Sequence, residues 1–299
     1  MLTLTDVWPH IEALNAAPAP YYMDAFRQAM ESTHLAGVRL GLLLHAYQMQ
    51  PISAVRLCEH LPYYAPQPFA DGFAQLATHG FLSSPDGETY HLTKQGHQAL
   101  ITIFDAVKGA LHEAEVKLDP ADLETLAGLL KRLDHAILTT QTVTDLALYG
   151  MQRQVVNGQV DSVLSDITDY VANLAAFRCD AHRQTWQRYG VTGPAWEALT
   201  VIWRGEANTA ATIAEHRLNA RPTRGYHDYT SYLAELAGRG WVTSSGETYQ
   251  LTANGAAIRQ ASEDETDALF YGVWTVLNAT EFQQLDTISQ RVCQQLEVD

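Results

Sequence analysis

Positive charge is scarce in this chain: 19 Lys and Arg stand against 34 Asp and Glu in 299 residues, a formal net charge of −15 at pH 7. A protein that grips nucleic acid over its whole surface needs the opposite balance, so any such contact must be a local patch. Cysteine is scarce too. Cys58, Cys179 and Cys293 are isolated and odd in number, which excludes a disulfide framework and a Cys-type zinc site. All three are expected as small buried hydrophobes. No run of about eighteen apolar residues occurs, and no basic flank precedes a hydrophobic segment near Asp6, so neither a transmembrane helix nor a signal peptide is expected. The expected compartment is the cytoplasm, with no membrane contact. His-Glu-Xaa-Xaa-His, Cys-Xaa-Xaa-Cys, a phosphate-cradling Gly-rich loop and Gly-Xaa-Ser-Xaa-Gly are all missing. His112-Glu113 and Glu59-His60 are neighbours on helix-patterned segments and do not face each other. These absences predict a protein that is not an enzyme and holds no metal or cofactor.

What the chain does have is a repeat. Gly87-Glu88-Thr89-Tyr90-His91-Leu92-Thr93 returns as Gly246-Glu247-Thr248-Tyr249-Gln250-Leu251-Thr252, followed in each case by a glycine, Gly96 or Gly255. Each copy is preceded by a Gly-aromatic-aliphatic step, Gly80-Phe81-Leu82 and Gly240-Trp241-Val242. Gly80 and Gly240 suit the residue after a helix, Ser84-Pro85-Asp86-Gly87 and Ser244-Ser245-Gly246 are turn clusters, and the alternating runs after them read as strands. Thr93 and Thr252 suit a helix N-cap. A two-stranded hairpin this short is stable only against helices, so each copy predicts a winged helix.

The flanking segments extend the repeat. Met1 to Pro20 reads as a short helix and then an extended Ala-Pro-Ala-Pro stretch. Tyr21 to about Gln48 is helical with a break near Gly37, Ser53 can cap a short helix carrying Leu57 and Leu61, and Pro62 to Pro68 reads as a turn before Phe69, Phe73 and Leu76. After the wing, Asp119-Pro120 is a strong helix start, echoed by Asn278-Ala279-Thr280-Glu281. Asn157-Gly158 reads as a turn, and Val160, Val163, Ile167, Val171, Leu174 and Phe177 form an apolar stripe expected in a core. In the second copy Trp196, Leu199, Ile202 and Trp203 match the first copy's leucine-rich segment, Thr209 caps a helix with Ile213, and Thr223 is a cap for the next.

This order of helix, helix-turn-helix, Gly-aromatic step, wing ending in Tyr-Xaa-Leu-Thr, and Leu-Asp-Pro helix start resembles the MarR family of bacterial transcription regulators, over roughly residues 21–138 and 171–296. Members of that family work as homodimers of one such unit. The resemblance therefore implies a mainly α fold with small β-wings, in which tandem winged helix-turn-helix units pack with long helices as a pseudo-dimer. The expected divisions are a first unit over 1–138 with an N-terminal extension, a helical linker over 139–175, and a second unit over 176–299. Such a chain acts as a monomeric pseudo-dimer or a homodimer.

The resemblance also implies double-stranded DNA as the partner, with the third helix of a unit in the major groove. Residues 178–260 hold nine Arg and no Lys against seven acidic residues, a net of +2, so the rest of the chain carries −17. Contact is therefore expected through the second unit, at Arg217, Arg221, Thr223, Arg224, His227, Thr230 and Ser231. The first unit has no Arg or Lys from Leu57 to Thr93, and Asp71 stands opposite Ser231 when Gly80 is aligned with Gly240, so it is not expected to read DNA. Both wing tips lack the family's minor-groove arginine. A small aromatic effector is implied between the helical part and the winged unit, where Phe26, His34, Trp186, Tyr189 and Trp203 are candidate lining residues, although helical spacing fits a plain core as well. The alternative reading is a winged-helix scaffold that has lost DNA binding and acts through protein or small-ligand contacts.

Overall fold

A computed structural model describes residues 4–35, 40–156, 158–220 and 228–297. Helix α1 (Leu4–Glu12) and a 3-10 turn (Ala13–Asn15) lead into α2 (Ala19–Ser32), α3 (Leu40–Gln48), α4 (Ala54–His60) and α5 (Pro66–Thr78). The wing strands β1 (Leu82–Ser83) and β2 (His91–Leu92) follow, then α6 (Lys94–Glu115) and α7 (Pro120–Thr139). After α8 (Ala147–Gln152) the same order returns as α9 (Val163–Gln187), α10 (Gly193–Trp203), α11 (Ala210–Ala220) and α12 (Tyr229–Gly238). It closes with β3 (Val242–Ser245), β4 (Thr248–Leu251), α13 (Ala253–Gly272), a 3-10 turn (Val273–Val276) and α14 (Ala279–Leu296). The chain is mainly helical with two small antiparallel wings, as the sequence predicts.

The repeated string makes the same interlock twice. Thr93 accepts from the Gly96 N–H at 3.0 Å and donates its hydroxyl to the Gly80 carbonyl at 2.7 Å; Thr252 does the same with Gly255 at 3.0 Å and Gly240 at 2.8 Å. Each threonine thereby caps one helix and pins it to the end of another. Gly96 and Gly255 are required by proximity. A Cβ there would lie 2.3 Å from the Phe81 carbonyl oxygen and 2.1 Å from that of Trp241. The wings pair with Leu82 opposite Leu92 and with Val242 opposite Leu251. Each is also tied to the helix-turn-helix, by an Ile52–Tyr90 bridge in one half and by the Tyr249 N–H on the Asn208 carbonyl at 2.8 Å in the other.

Two proline segments differ from expectation for one reason. Ala-Pro-Ala-Pro is not extended up to Pro20, because α2 starts at Ala19. Likewise Pro66 and Pro68 lie inside the first turn of α5 rather than in the preceding turn. First-turn N–H groups have no partner within the helix, so a residue lacking one is tolerated there. The other caps stand as read: Ser53 accepts from the Arg56 N–H, Asp119 from Ala121, and Asn278 with Glu281 forms a capping box. Cys293 is buried and Cys58 half-buried, but Cys179 is exposed on α9, so it is not the expected buried hydrophobe.

Among the described residues three apolar cores result. The central one joins α1, α7, α9 and α14, with Ile11, Leu130, Leu133, Ile167, Val171, Leu174, Phe177, Leu285 and Val292 all buried. Each such side chain contributes roughly 1.5–3 kcal/mol relative to exposure. The stripe on α9 thus faces the middle of the molecule, and residues 139–175 contain α8 and the first half of that long helix. A buried polar network crosses this layer: the Asp134 carboxylate accepts from the Tyr149 hydroxyl and the Asn173 amide, each at 3.0 Å. Asp180 on α9 accepts the N–H groups of Leu148 and Tyr149, capping α8 from outside its own sequence. A first lobe packs around Leu43, Leu57, Phe73, Leu76 and Leu100, and a second around Trp196, Leu199, Ile213, Leu233 and Leu236. The lobes touch where the Pro62-Tyr63 turn meets the start of α10. A Cβ on Gly193 would lie 2.2 Å from the Pro62 carbonyl oxygen, and Tyr63 packs 5.7 Å from Trp186. Among the described residues no helix is long and apolar enough to cross a membrane.

Candidate nucleic-acid interface

The helix-turn-helix of the second lobe is α11 followed by α12. Tyr229, Leu233 and Leu236 recur at i, i+4 and i+7 and are buried, which turns the opposite face of α12 to solvent. Thr230 and Ser231 sit on that exposed face. Asp228 caps the helix, accepting the Thr230 N–H at 3.0 Å, and that hydrogen bond holds its carboxyl below the usual range. The expected cap at Thr223, and the expected contacts Arg221, Arg224 and His227, lie outside the described residues. Thr209, Asp228, Thr230, Glu247 and Tyr249 line a groove of about 410 Å³ between the starts of α11 and α12 and the wing. Among the described residues Asp228 and Glu247 are the charged groups there, and both are acids.

Arg217 departs from expectation. Instead of facing outward beside the reading helix, it turns inward, with a side-chain exposure of 18%, and pairs with the buried Glu197 carboxylate. The other oxygen of Glu197 accepts the Tyr229 hydroxyl at 2.6 Å. One carboxylate on α10 therefore ties down both α11 and α12, and the Arg217 charge is spent on it. Glu197 escaped the sequence reading, yet it carried a signal: it is the one charged residue in the otherwise apolar or neutral Gly193–Trp203 segment. Such an acid is buried only when paired. Arg239 is committed as well, donating to the carbonyls of Tyr189 and Gly190 at 2.9 and 2.8 Å and stacking over Trp241.

The first lobe holds the equivalent groove, about 510 Å³, lined by Val55, Pro66, Gln67, Ala70, Glu88 and Tyr90 among others. Asp71 is exposed on α5 and accepts from the Gln67 side chain at 2.8 Å. At the wing tip Asp86 accepts the N–H groups of Thr89 and Glu88, which pull its carboxyl down to about 2. That acid serves the turn and leaves a negative tip.

The candidate ligand residues do not converge on one cleft. Phe26 packs against the first-lobe core, and His34 is exposed at a positive φ of 60°. Trp186 is buried in the second-lobe core, Tyr189 stacks on Trp196 at 5.9 Å, and Trp203 lies 4.8 Å from the Arg259 guanidinium. The aromatic set is split between two lobes, and its second-lobe members are mostly packing.

Residues 163–298, just under half of the chain, match a helix-turn-helix family. The match begins at the first residue of α9 and takes in the whole second lobe with its long helices. It marks that half as a helix-turn-helix unit of the DNA-binding type. No curated protein matches the chain.

Proposed function

We propose that this protein is a transcription regulator of MarR-like type, two winged-helix units fused as a pseudo-dimer, which reads double-stranded DNA chiefly through α12 of its second unit. The observation that carries the reading is the coincidence of the family match over 163–298 with an α11–α12 pair whose outer face presents Thr230 and Ser231. Arg221 and Arg224 supply the phosphate contacts in this reading. The first unit, with Asp71 outward and an acidic wing tip, contributes none. Modulation by a small ligand belongs to the same reading, acting on α11 and α12 through the long helices beneath them.

One observation favours a second reading, a winged-helix scaffold without DNA binding: Arg217 is neutralised by Glu197 and the second-lobe groove carries Asp228 and Glu247. Fluorescence anisotropy with fragments of the protein's own promoter region, at two salt concentrations, separates the two. The regulator reading expects sequence-selective binding that weakens with salt at a slope of about −0.9 per phosphate contact. Arg224→Ala, which removes one phosphate contact in this reading, is expected to weaken binding about equally across sequences and to lower the salt slope by about 1. Equal affinity of Arg224→Ala and wild type would remove this segment as the reader, and no binding at low salt would decide for the scaffold.

A further inference from the structure

The first lobe repeats the groove of the second with its chemistry changed. Ser53, Val55, Ala70, Glu88 and Tyr90 line it where Thr209, Ala211, Thr230, Glu247 and Tyr249 line its twin. Alanine at 70 gives up the hydroxyl of Thr230, and valine at 55 enlarges the apolar surface of Ala211. Helix α5 completes the change. Pro66 and Pro68 occupy its first and third positions, so two of the four N–H groups that a helix start can offer to phosphate are missing, and its N-cap, Ala65, has no side-chain acceptor.

These exchanges leave apolar side chains facing water. Val55 is 67% exposed although Leu57, two residues on, is buried, and Pro66 is exposed in the same groove. One exposed valine is ordinary. Val55, Pro66 and Ala70 lining one groove of about 510 Å³ make a seat for apolar side chains from elsewhere. The border of that seat is acidic. Between Gln50 and Thr93 the sequence holds Glu59, Asp71, Asp86 and Glu88 against Arg56 as the one Lys or Arg. Arg56 turns back on its own turn, with Nη1 donating to the Pro51 carbonyl at 2.5 Å. Glu88 lines the groove, and Asp71 is exposed on α5 with the neutral Gln67 as its partner.

We propose that the helix-turn-helix face of the first lobe docks a cationic amphipathic segment of another protein. The apolar side chains of that segment seat on Val55, Pro66 and Ala70, and its Lys or Arg heads reach Glu88 and Asp71 while their aliphatic stems lie over the groove. Nucleic acid is a poor occupant, because the same acids repel its phosphates. A second copy of this chain is a poor one too, since it brings a net charge of −15. This docking does not depend on whether α12 reads DNA.

The test is fluorescence anisotropy of a labelled helical peptide, with leucines along one face and lysines along the other, titrated with the full chain at about 0.15 M salt and without DNA. Saturable binding with a Kd below roughly 100 µM is expected. Val55→Ser should weaken it roughly tenfold, the loss for a valine that no longer buries against a partner, and Glu88→Lys at least about threefold. Glu247→Lys, the same change in the other wing, should leave it unchanged, because charges at that salt are screened beyond about 8 Å. Circular dichroism checks the fold, and Val55→Gln replaces Val55→Ser if the latter does not fold. No saturable binding, equal binding of a peptide with glutamate in place of lysine, equal binding by the Val55 variant and wild type, or an equal loss in Glu88→Lys and Glu247→Lys overturns the proposal. So does sedimentation in which the wild-type chain self-associates and the Val55 variant does not, a result that assigns the face to a second copy. Because DNA is absent throughout, failure here leaves the reading of α12 untouched.

Discussion

Glu197→Gln isolates the carboxylate that organises the second lobe. The side chain is 4% exposed, and among the described residues it accepts from the Tyr229 hydroxyl at 2.6 Å on one oxygen and pairs with Arg217 on the other. Glutamine keeps the size but offers one acceptor and one amide N–H₂, so either Tyr229 or Arg217 must face a donor. A hydrogen bond to a charged group is worth about 1.5–3 kcal/mol. Breaking a fully buried ion pair costs about 3–5 kcal/mol, but Arg217 retains 18% exposure and regains part of its hydration. The expected loss is therefore about 2–3 kcal/mol, read by urea unfolding through the tryptophans Trp186, Trp196, Trp203 and Trp241 of this lobe. A variant with wild-type stability would refute the claim that Glu197 holds Arg217.

Two further outcomes follow from the same geometry. Gly255→Ala forces a Cβ to within 2.1 Å of the Trp241 carbonyl, which is fixed by the Thr252 N–H at 3.0 Å, and should lower stability by about 2 kcal/mol. Gly128→Ala, with nothing within 4 Å on α7, should instead raise it by up to about 1 kcal/mol; thermal melts of the two decide whether the close approach is real. Burial pushes the Asp169 carboxyl up to about 6, with Asp166 adding and Lys108 opposing. A folded pKa above the unfolded value means the ionised form strains the fold, so wild type gains stability from this group as pH falls from about 6 toward 4. Asp169→Asn should be more stable at pH 7 by on the order of 2 kcal/mol, with the advantage vanishing near pH 4. A constant difference across that range would contradict the assignment.

What was legible in the sequence was what short segments decide among themselves. The string ending in Thr93 or Thr252 announced the wing because its Thr and Gly act within fifteen residues on Gly80 or Gly240. Asp119 and Asn278 announced helix starts because a cap acts on its own first turn. Residues whose meaning depends on distant partners were not legible. Which acid Arg217 pairs with is not readable from the sequence, because its partner, twenty residues away, meets it only after α10 and α11 pack. Nothing in Leu4–Glu12 marks that α1 lies on α14, where His10 meets Asp286 at 2.7 Å, with Trp8 packing on Phe270 of α13. The prolines were read by their general aversion to helices, whereas their position within the first turn was what mattered.

The central layer has a consequence for dilution. Helices α1, α7, α9 and α14 close a single core, and Arg132 on α7 reaches the Glu281 carboxylate at the start of α14 at 2.5 Å, all within one covalent chain. Where such a core is divided between two separate chains, its survival depends on how often they meet, and mass action erodes it at low copy number. In the proposed pseudo-dimer each half would be the other's partner at a fixed effective concentration set by the connection through α8. The central core of one chain then forms without waiting for a second copy, however few copies a cell makes.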